Sequence, residues 1–452
     1  MPNEADLSAD RLDSWKDIAT YLRRDVSTVQ RWEKREGMPV RRHQHEKLGS
    51  VYAFRSELDT WARGRGIAIA DVPAVITSRW RLVAAAGAVA LLIGIAVVIG
   101  SRTRGTGSGD HVISATSKAR AQELLLQARY LSDRTTNTDS KAAIELLEQA
   151  IALDPNLALA HAELASAYVT RLAYVTPDVT RELEQKSYAS AEKAYSLDPK
   201  LPEVYLARGD LLWTHSYRFA HERAIQEFRK ALGLDPQSDR AHRRMARVLV
   251  HVGFFDEARQ HADRALAANR GNSQALNTRA QSLLWSGAVE EGLTILLSIP
   301  GPVLPELVEA NTVFALHALG RRDDAWGYLR KALQKYPDDP AGTLRGIQAL
   351  MLADSDPRKA QELIDSVRQR KAGNPSHHAA YFAGSASARL RKPSATVQWL
   401  KEAAATGFPC YTLFARDPNL DPVRSDPGFR AFMADMQKQS AALHHALFPA
   451  AK

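Results

Sequence analysis

The sequence predicts a mainly α-helical protein of three unlike parts: a small N-terminal helix-turn-helix with a hairpin wing, one hydrophobic helix, and a long C-terminal solenoid of helix pairs. Three observations carry this. Residues 82–99 contain no charged and no strongly polar side chain. A proline or glycine break, in its fullest form Leu-Asp-Pro, returns at nearly constant spacing between residues 153 and 375. Residues 14–66 carry two short apolar helical patterns, then a strand pattern and a local excess of basic residues.

Composition sets the outer bounds. A chain of 452 residues with 45% hydrophobic and 25% charged side chains is an ordinary folded protein of about three domains, which excludes a largely disordered one. The net charge of +9 is concentrated, since residues 23–55 hold nine Lys/Arg against four Asp/Glu. That local excess points to nucleic acid as a partner. Cys410 is the single cysteine, so an intrachain disulfide and a cysteine zinc cluster are both excluded.

Residues 1–13 are polar and acidic without an apolar period and read as a disordered tail. In residues 14–66, Ser14 is placed to cap a first helix with Asp17 in its first turn. Trp15, Ile18, Ala19 and Leu22 then share one face. Ser27 is the expected cap of a second helix running to about Glu36, with Val26, Val29 and Trp32 on its apolar side. Gly37 ends that helix and Pro39 prevents its resumption. Val40 leads into a basic hairpin loop, Val51, Tyr52 and Phe54 read as strand, and Ser56 starts a third helix with Leu58 and Trp61 inward.

Two tight helices with a polar outer face on the second are suited to a DNA major groove. Ser27, Thr28, Gln30 and Arg31 fall near the start of the second helix, within reach of base edges and phosphate. Lys34, Arg35, Arg41, Arg42, His43 and Lys47 are placed to neutralise phosphates along the helix and the wing. His43 and His45 have no third ligand at metal spacing. Thr28, Trp32, Glu33, Gly37, Pro39 and Trp61 follow a Thr-x-x-x-Trp-Glu helix, a Gly-x-Pro turn and a closing helix with Trp. In this the segment resembles the excisionase and MerR-type winged helix-turn-helix, a resemblance over about 50 residues that implies duplex DNA binding.

Residues 67–79 read as a linker. Residues 80–100 follow as one helix long enough to cross ~30 Å of hydrocarbon, with Arg79, Arg81, Arg102 and Arg104 at its ends and Trp80 at the interface. Ala86, Ala90 and Gly94 recur every four residues and suggest a seam for a homodimer in lipid. The Gly/Ser-rich residues 101–117 read as a flexible linker. Flanking charges are balanced and do not orient the span. A DNA reader must be cytosolic, which sends the C-terminal part across a bacterial inner membrane.

Residues 118–405 repeat. Leu153-Asp154-Pro155, Leu197-Asp198-Pro199 and Leu234-Asp235-Pro236 are followed by breaks at Gly271, Pro305, Pro340 and Pro375. Small residues recur at helix-contact positions, as in Ala143/Ala150, Ala191/Ala194, Ala224/Ala231, Ala258/Ala265 and Ala325/Ala332. Phe228, Leu147 and Leu329 are the large residues between them. A period near 34 with proline closing each second helix resembles tetratricopeptide repeats, seven to eight in number. The second repeat is longer, with an expected loop at Tyr174–Asp178. The family resemblance implies a protein or peptide partner. Residues 406–452 carry Asp417-Pro418, Asp421-Pro422 and Asp426-Pro427 and resemble the terminal segment after repeats in bacterial signalling proteins. These carboxylates suit turns and caps, with Phe429, Phe432 and Met436 closing the last repeat.

No phosphate loop, nucleophile elbow or metal-spaced set is present in the sequence, so no enzyme, cofactor or metal is expected. The adjacent pairs His377-His378 and His444-His445 are expected to diverge to different helix faces. The combined reading is a single-pass membrane transcriptional regulator, in resemblance to bacterial membrane-bound activators with this order of parts. Its rival is a membrane-anchored assembly scaffold without DNA binding.

Overall fold

The computed structural model describes residues 11–12, 14–22, 26–42, 51–55, 57–58, 61, 115–299, 305–339, 341–368 and 377–449. They divide into two compact units, within residues 1–109 and 110–452.

In the N-terminal unit, α1 (Trp15–Tyr21) and α2 (Val26–Glu36) pack on a small antiparallel sheet. Its strands are β1 (Arg11–Leu12), β2 (Arg41–Arg42) and β3 (Val51–Phe54), in the order β1-β3-β2. Ser14 caps α1 by accepting the Asp17 amide at 3.1 Å. Gly37 ends α2 with φ +64°, where a side chain would be strained. Ile18, Leu22, Val29, Leu58 and Ala53 are buried, and Trp15, Trp32 and Trp61 pack around them. The Trp32 and Trp61 rings meet at 5.5 Å.

Three sequence expectations change here. Arg11–Leu12 was assigned to a disordered tail but forms an edge strand, because Leu12 reaches the core while pairing with Ala53. α2 starts at Val26, so Ser27 lies inside its first turn rather than at its cap. Val26 itself is exposed. The linker 67–79, the span 80–100 and its seam Ala86, Ala90 and Gly94 lie outside the described residues. Among the described residues, no helix is long and apolar enough to cross a membrane.

Among the described residues, the C-terminal unit is a stack of eight helix pairs. Their first helices are α3 (Ala115–Arg134), α5 (Ala158–Arg171), α7 (Pro202–Leu212), α9 (Asp239–His251), α11 (Ser273–Ser286), α13 (Pro305–Ala318), α15 (Thr343–Leu352) and α17 (His377–Arg389). Their second helices are α4 (Asn137–Leu153), α6 (Pro177–Leu197), α8 (His221–Leu234), α10 (Phe255–Ala268), α12 (Val289–Ser298), α14 (Arg322–Lys335), α16 (Pro357–Arg368) and α18 (Pro393–Ala405). α3 begins at Ala115, three residues inside the expected linker.

The Leu-Asp-Pro phrase has a defined job at the junction between pairs. Asp154, Asp198 and Asp235 each accept the amide two residues on, at 3.2, 2.9 and 3.1 Å, and Asn269 does the same for Gly271 at 3.2 Å. The proline carbonyl is then taken by a side chain of the next helix: His161 on Pro155, Tyr205 on Pro199 and His242 on Pro236. The ten recurrent alanines named above are buried, and Leu147, Phe228 and Leu329 fill between helices. The expected loop of the second repeat is instead one 3₁₀ turn at Leu172–Tyr174, and the extra residues lengthen α6 to 21 residues.

Gly209 lets α7 and α8 meet. A Cβ there would stand 2.2 Å from the Phe228 ring. Gly209→Ala is expected to cost about 1–3 kcal/mol through overpacking, read as a lower midpoint in thermal or urea unfolding followed by circular dichroism.

The C-terminal segment closes more than the last repeat. After α19 (Tyr411–Arg416), Phe429, Phe432 and Met436 of α20 (Pro427–Leu447) are buried as the sequence suggests. The segment also turns back onto α8–α11. Arg229 donates to the Leu447 carbonyl at 2.6 Å, His221 meets the Gly407 carbonyl at 3.2 Å, and Phe254 stacks edge-on against His444. The array is therefore curled, and contacts more than 180 residues apart in sequence hold it so.

Candidate functional site

The first helices of all eight pairs line one cavity of about 320 Å³, within the size range of ligand pockets. α9 dominates its wall. Its sequence places Arg240, Arg243, Arg244, Arg247 and His251 at helical offsets of 0, 3, 4, 7 and 11, which is one face of a helix. Ala241, Met245, Val248 and Leu249 make the buried opposite side. One helix thus packs its neighbours with apolar residues and presents four guanidiniums to the cavity.

These cations are partly compensated. Arg240 makes a forked pair with buried Glu163 of α5, one arm at 2.8 Å, and Arg129 of α3 lies 3.4 Å from the same carboxylate. Asp210 of α7 takes Arg244 at 2.7 Å, Arg247 at 3.2 Å and the Ser166 hydroxyl at 3.2 Å. Burial alone would raise both carboxyls. The charges of Arg240 on Glu163, and of Arg244 and Arg247 on Asp210, outweigh it and hold them below the usual carboxylate range. The two carboxylates link the first helices of four successive pairs.

Arg243 is compensated least. It donates to Gln274 and reaches Asp133 only at 3.5 Å, and Asp133 is exposed. Burial, then the neighbouring Arg244, pushes Arg243 down to about 9. Nε of Arg240, Nη1 of Arg244 and Nε of Arg247 are buried and have no acceptor. A wall of donors without acceptors, carrying only partly compensated positive charge, has the chemistry to accept an anionic group.

At one end of the cavity His251, His377 and His378 come together, with ring centroids 4.5 to 5.2 Å apart. The expectation that His377 and His378 diverge is corrected. His377 is the first residue of α17, where the chain enters the helix, and both rings turn onto His251. Burial, followed by the proximity of His377, holds His251 and His378 well below the usual histidine range, so both are neutral. Trp213, Trp285 and Phe408 wall the cluster.

The residues nominated for DNA are placed as follows. Arg31 and Lys34 are exposed on α2, and Thr28 and Gln30 are half-buried there. Both arms of Arg41 bind Glu57, at 2.8 and 2.7 Å. The side chains of Ser27, Arg35 and Arg42, and residues His43 and Lys47 entirely, lie outside what is described. In the C-terminal segment Asp417 is buried and accepts from Tyr381 at 2.9 Å and Ser385 at 3.0 Å. Asp426 caps α20 through the Phe429 amide at 2.9 Å. Both carboxylates hold structure together, as their Asp-Pro setting implies.

The groove residues were not nominated from sequence. Their signal was present in the arginine spacing of α9, which places four cations on one stripe of a helix inside a repeat array.

The family model described as tetratricopeptide repeat matches residues 219–281, which spans α8, α9, α10 and the first part of α11. No curated protein sequence matches the chain. Among solved structures, a Rap protein complexed with competence and sporulation factor is 14% identical with a TM-score of 0.52, covering 73% of this chain and 100% of that one. PilF of Pseudomonas aeruginosa is 18% identical with a TM-score of 0.35, covering 49% and 94%. YrrB, described as a tetratricopeptide-repeat protein with an unusual peptide-binding site, is 18% identical with a TM-score of 0.26, covering 46% and 100%. The first likeness concerns the fold. The C-terminal unit is a tetratricopeptide-repeat solenoid.

Proposed function

We propose that the solenoid captures an extended protein or peptide segment bearing carboxylates, held in the cavity between its first helices. The observation that carries this is the α9 wall: four arginines on one face, three of them with a buried donor that lacks an acceptor. An anionic peptide supplies those acceptors and neutralises Arg243. The Rap protein, similar in fold, is described in complex with competence and sporulation factor, which is consistent with a solenoid of this fold holding a partner. Titrating the full chain into fluorescein-labelled acidic, neutral and basic peptides of equal length tests the reading by anisotropy. The acidic peptide should bind and weaken as salt rises, while the basic one should not bind.

The N-terminal unit is proposed to read duplex DNA from the cytosolic side of an inner membrane crossed by residues 80–100, with the repeats extracytoplasmic. The support is local. α2 buries Val29 against Ile18 and Leu22 while Arg31 and Lys34 stay exposed on its other side, and the uncharged run of residues 82–99 has the length of a span. Homodimerisation through Ala86, Ala90 and Gly94 belongs to the same proposal. The expected result is salt-dependent binding of the full chain to selected duplexes in detergent. Arg31→Ala should narrow the gap between specific and nonspecific sequences by ~1–3 kcal/mol. Binding that ignores both salt and Arg31 would leave the scaffold reading in its place.

A further inference from the structure

We propose that His251, His377 and His378 form a binding site for a zinc-class divalent transition metal, with three imidazole ligands and a fourth coordination position opening on the cavity. This goes beyond the peptide reading and does not depend on it.

One ring nitrogen from each histidine lies within 4.8 Å of the others, and among the described residues this is the group so arranged. Tetrahedral zinc with Zn–N bonds of ~2.0–2.1 Å spaces its nitrogens about 3.3 Å apart. Side-chain rotations that close the difference of about 1.5 Å are small.

The surrounding bonds prepare the ligands. Nδ1 of His251 faces the Arg247 carbonyl at 2.6 Å, and Nδ1 of His377 faces the Thr406 carbonyl at 2.8 Å. For His251, a neutral imidazole facing a carbonyl must place its proton on that nitrogen, which fixes the tautomer and leaves the Nε2 lone pair for a ligand. Backbone carbonyls in that role are the usual outer partners of metal-bound histidine. Nε2 of His378 supplies the second, independent observation: it is buried, the residue being 5% exposed, and has no hydrogen-bond partner. A purely aromatic core would explain the rings stacking on Phe408 and Trp213, but it leaves that nitrogen's lone pair or proton unsatisfied at a cost.

Three elements are joined at this point: the end of α9, the start of α17 and, through Thr406, the end of α18. A metal here ties the fourth repeat to the eighth and stabilises the curled array. With three protein ligands, the fourth position is left for water or for a carboxylate held by the arginines.

The test is equilibrium dialysis of the untagged full chain against zinc, together with the visible spectrum of its cobalt(II) form. The expected result is one tightly held ion per chain, an intense tetrahedral cobalt spectrum and a raised melting temperature with metal. His377→Ala, the least buried of the three, should weaken zinc binding at least about 100-fold while circular dichroism stays native. His251→Asn should do the same. His444→Ala with His445→Ala on α20 should leave binding intact. Absence of tight binding, retained binding in His377→Ala and His251→Asn, or loss in the α20 variant would each overturn the site.

Discussion

Glu163→Ala is expected to destabilise the repeat unit by about 3–5 kcal/mol. Glu163 is 2% exposed and answers both Arg240, itself 8% exposed, and Arg129. Removing the carboxylate strands buried Arg240 and leaves Arg129 with Glu203 alone, at 3.7 Å. The penalty is larger than the worth of the pair, because Arg240 has already lost its water. Replacing Glu163 and Arg240 together by Met should recover much of the loss, since apolar side chains of similar volume carry no desolvation cost. Urea unfolding of the three proteins measures this. The pH dependence follows from the same pair. Glu163 has a folded pKa below its ordinary value, so the unfolded state binds its proton first as pH falls. Its contribution is whole above the ordinary pKa of about 4.3 and is lost as pH falls through the lower folded value. The Glu163→Ala protein lacks that part of the acid transition.

Arg243→Gln is expected to act in the opposite sense on stability and binding. Burial, then the neighbouring Arg244, disfavours its charge in the folded chain. A cation with a lowered folded pKa penalises folding while it is charged, so the neutral amide should leave the unfolding midpoint unchanged or raise it. The acidic peptide, in contrast, should lose at least about 30-fold in affinity, the scale of losing one partner of a desolvated charge pair of ~2 kcal/mol or more. Anisotropy and urea titrations on the same samples separate the two effects. A variant that loses stability and binding together would make Arg243 a structural residue.

The solenoid was legible in the sequence for a physical reason. Helix pairs stacked on one another need small residues at contact points and a chain reversal at each junction. Both leave local marks, in Ala224/Ala231 or Asp235-Pro236, that survive without knowledge of the fold. Partner choice across the array leaves no local mark. Arg240, Arg243, Arg244 and Arg247 show a helical stripe, but a stripe alone does not say whether it faces solvent or a cavity. That depends on which face α5, α7 and α11 turn inward. His251 and His377 are 126 residues apart in the sequence, and only the return of the C-terminal segment onto α8–α11 brings the end of α9 and the start of α17 together. In the N-terminal unit the apolar period found Ile18, Leu22 and Val29. It misassigned Val26, which shares their helical face at the helix start but is left uncovered there. The pairing of Arg41 with Glu57 is not legible in sequence, because Glu57 lies across the hairpin and not beside it in the chain.

Hydrogen exchange of the full chain, with and without a saturating acidic peptide, is the most direct measurement of where a ligand sits. The account predicts added protection in peptides covering α5, α7, α9 and α11, greatest around Arg240–Arg247, with the second helices α4, α6, α8 and α10 unchanged. Protection confined to second helices, or spread evenly over the charged surface, would contradict an arginine-lined groove between the first helices.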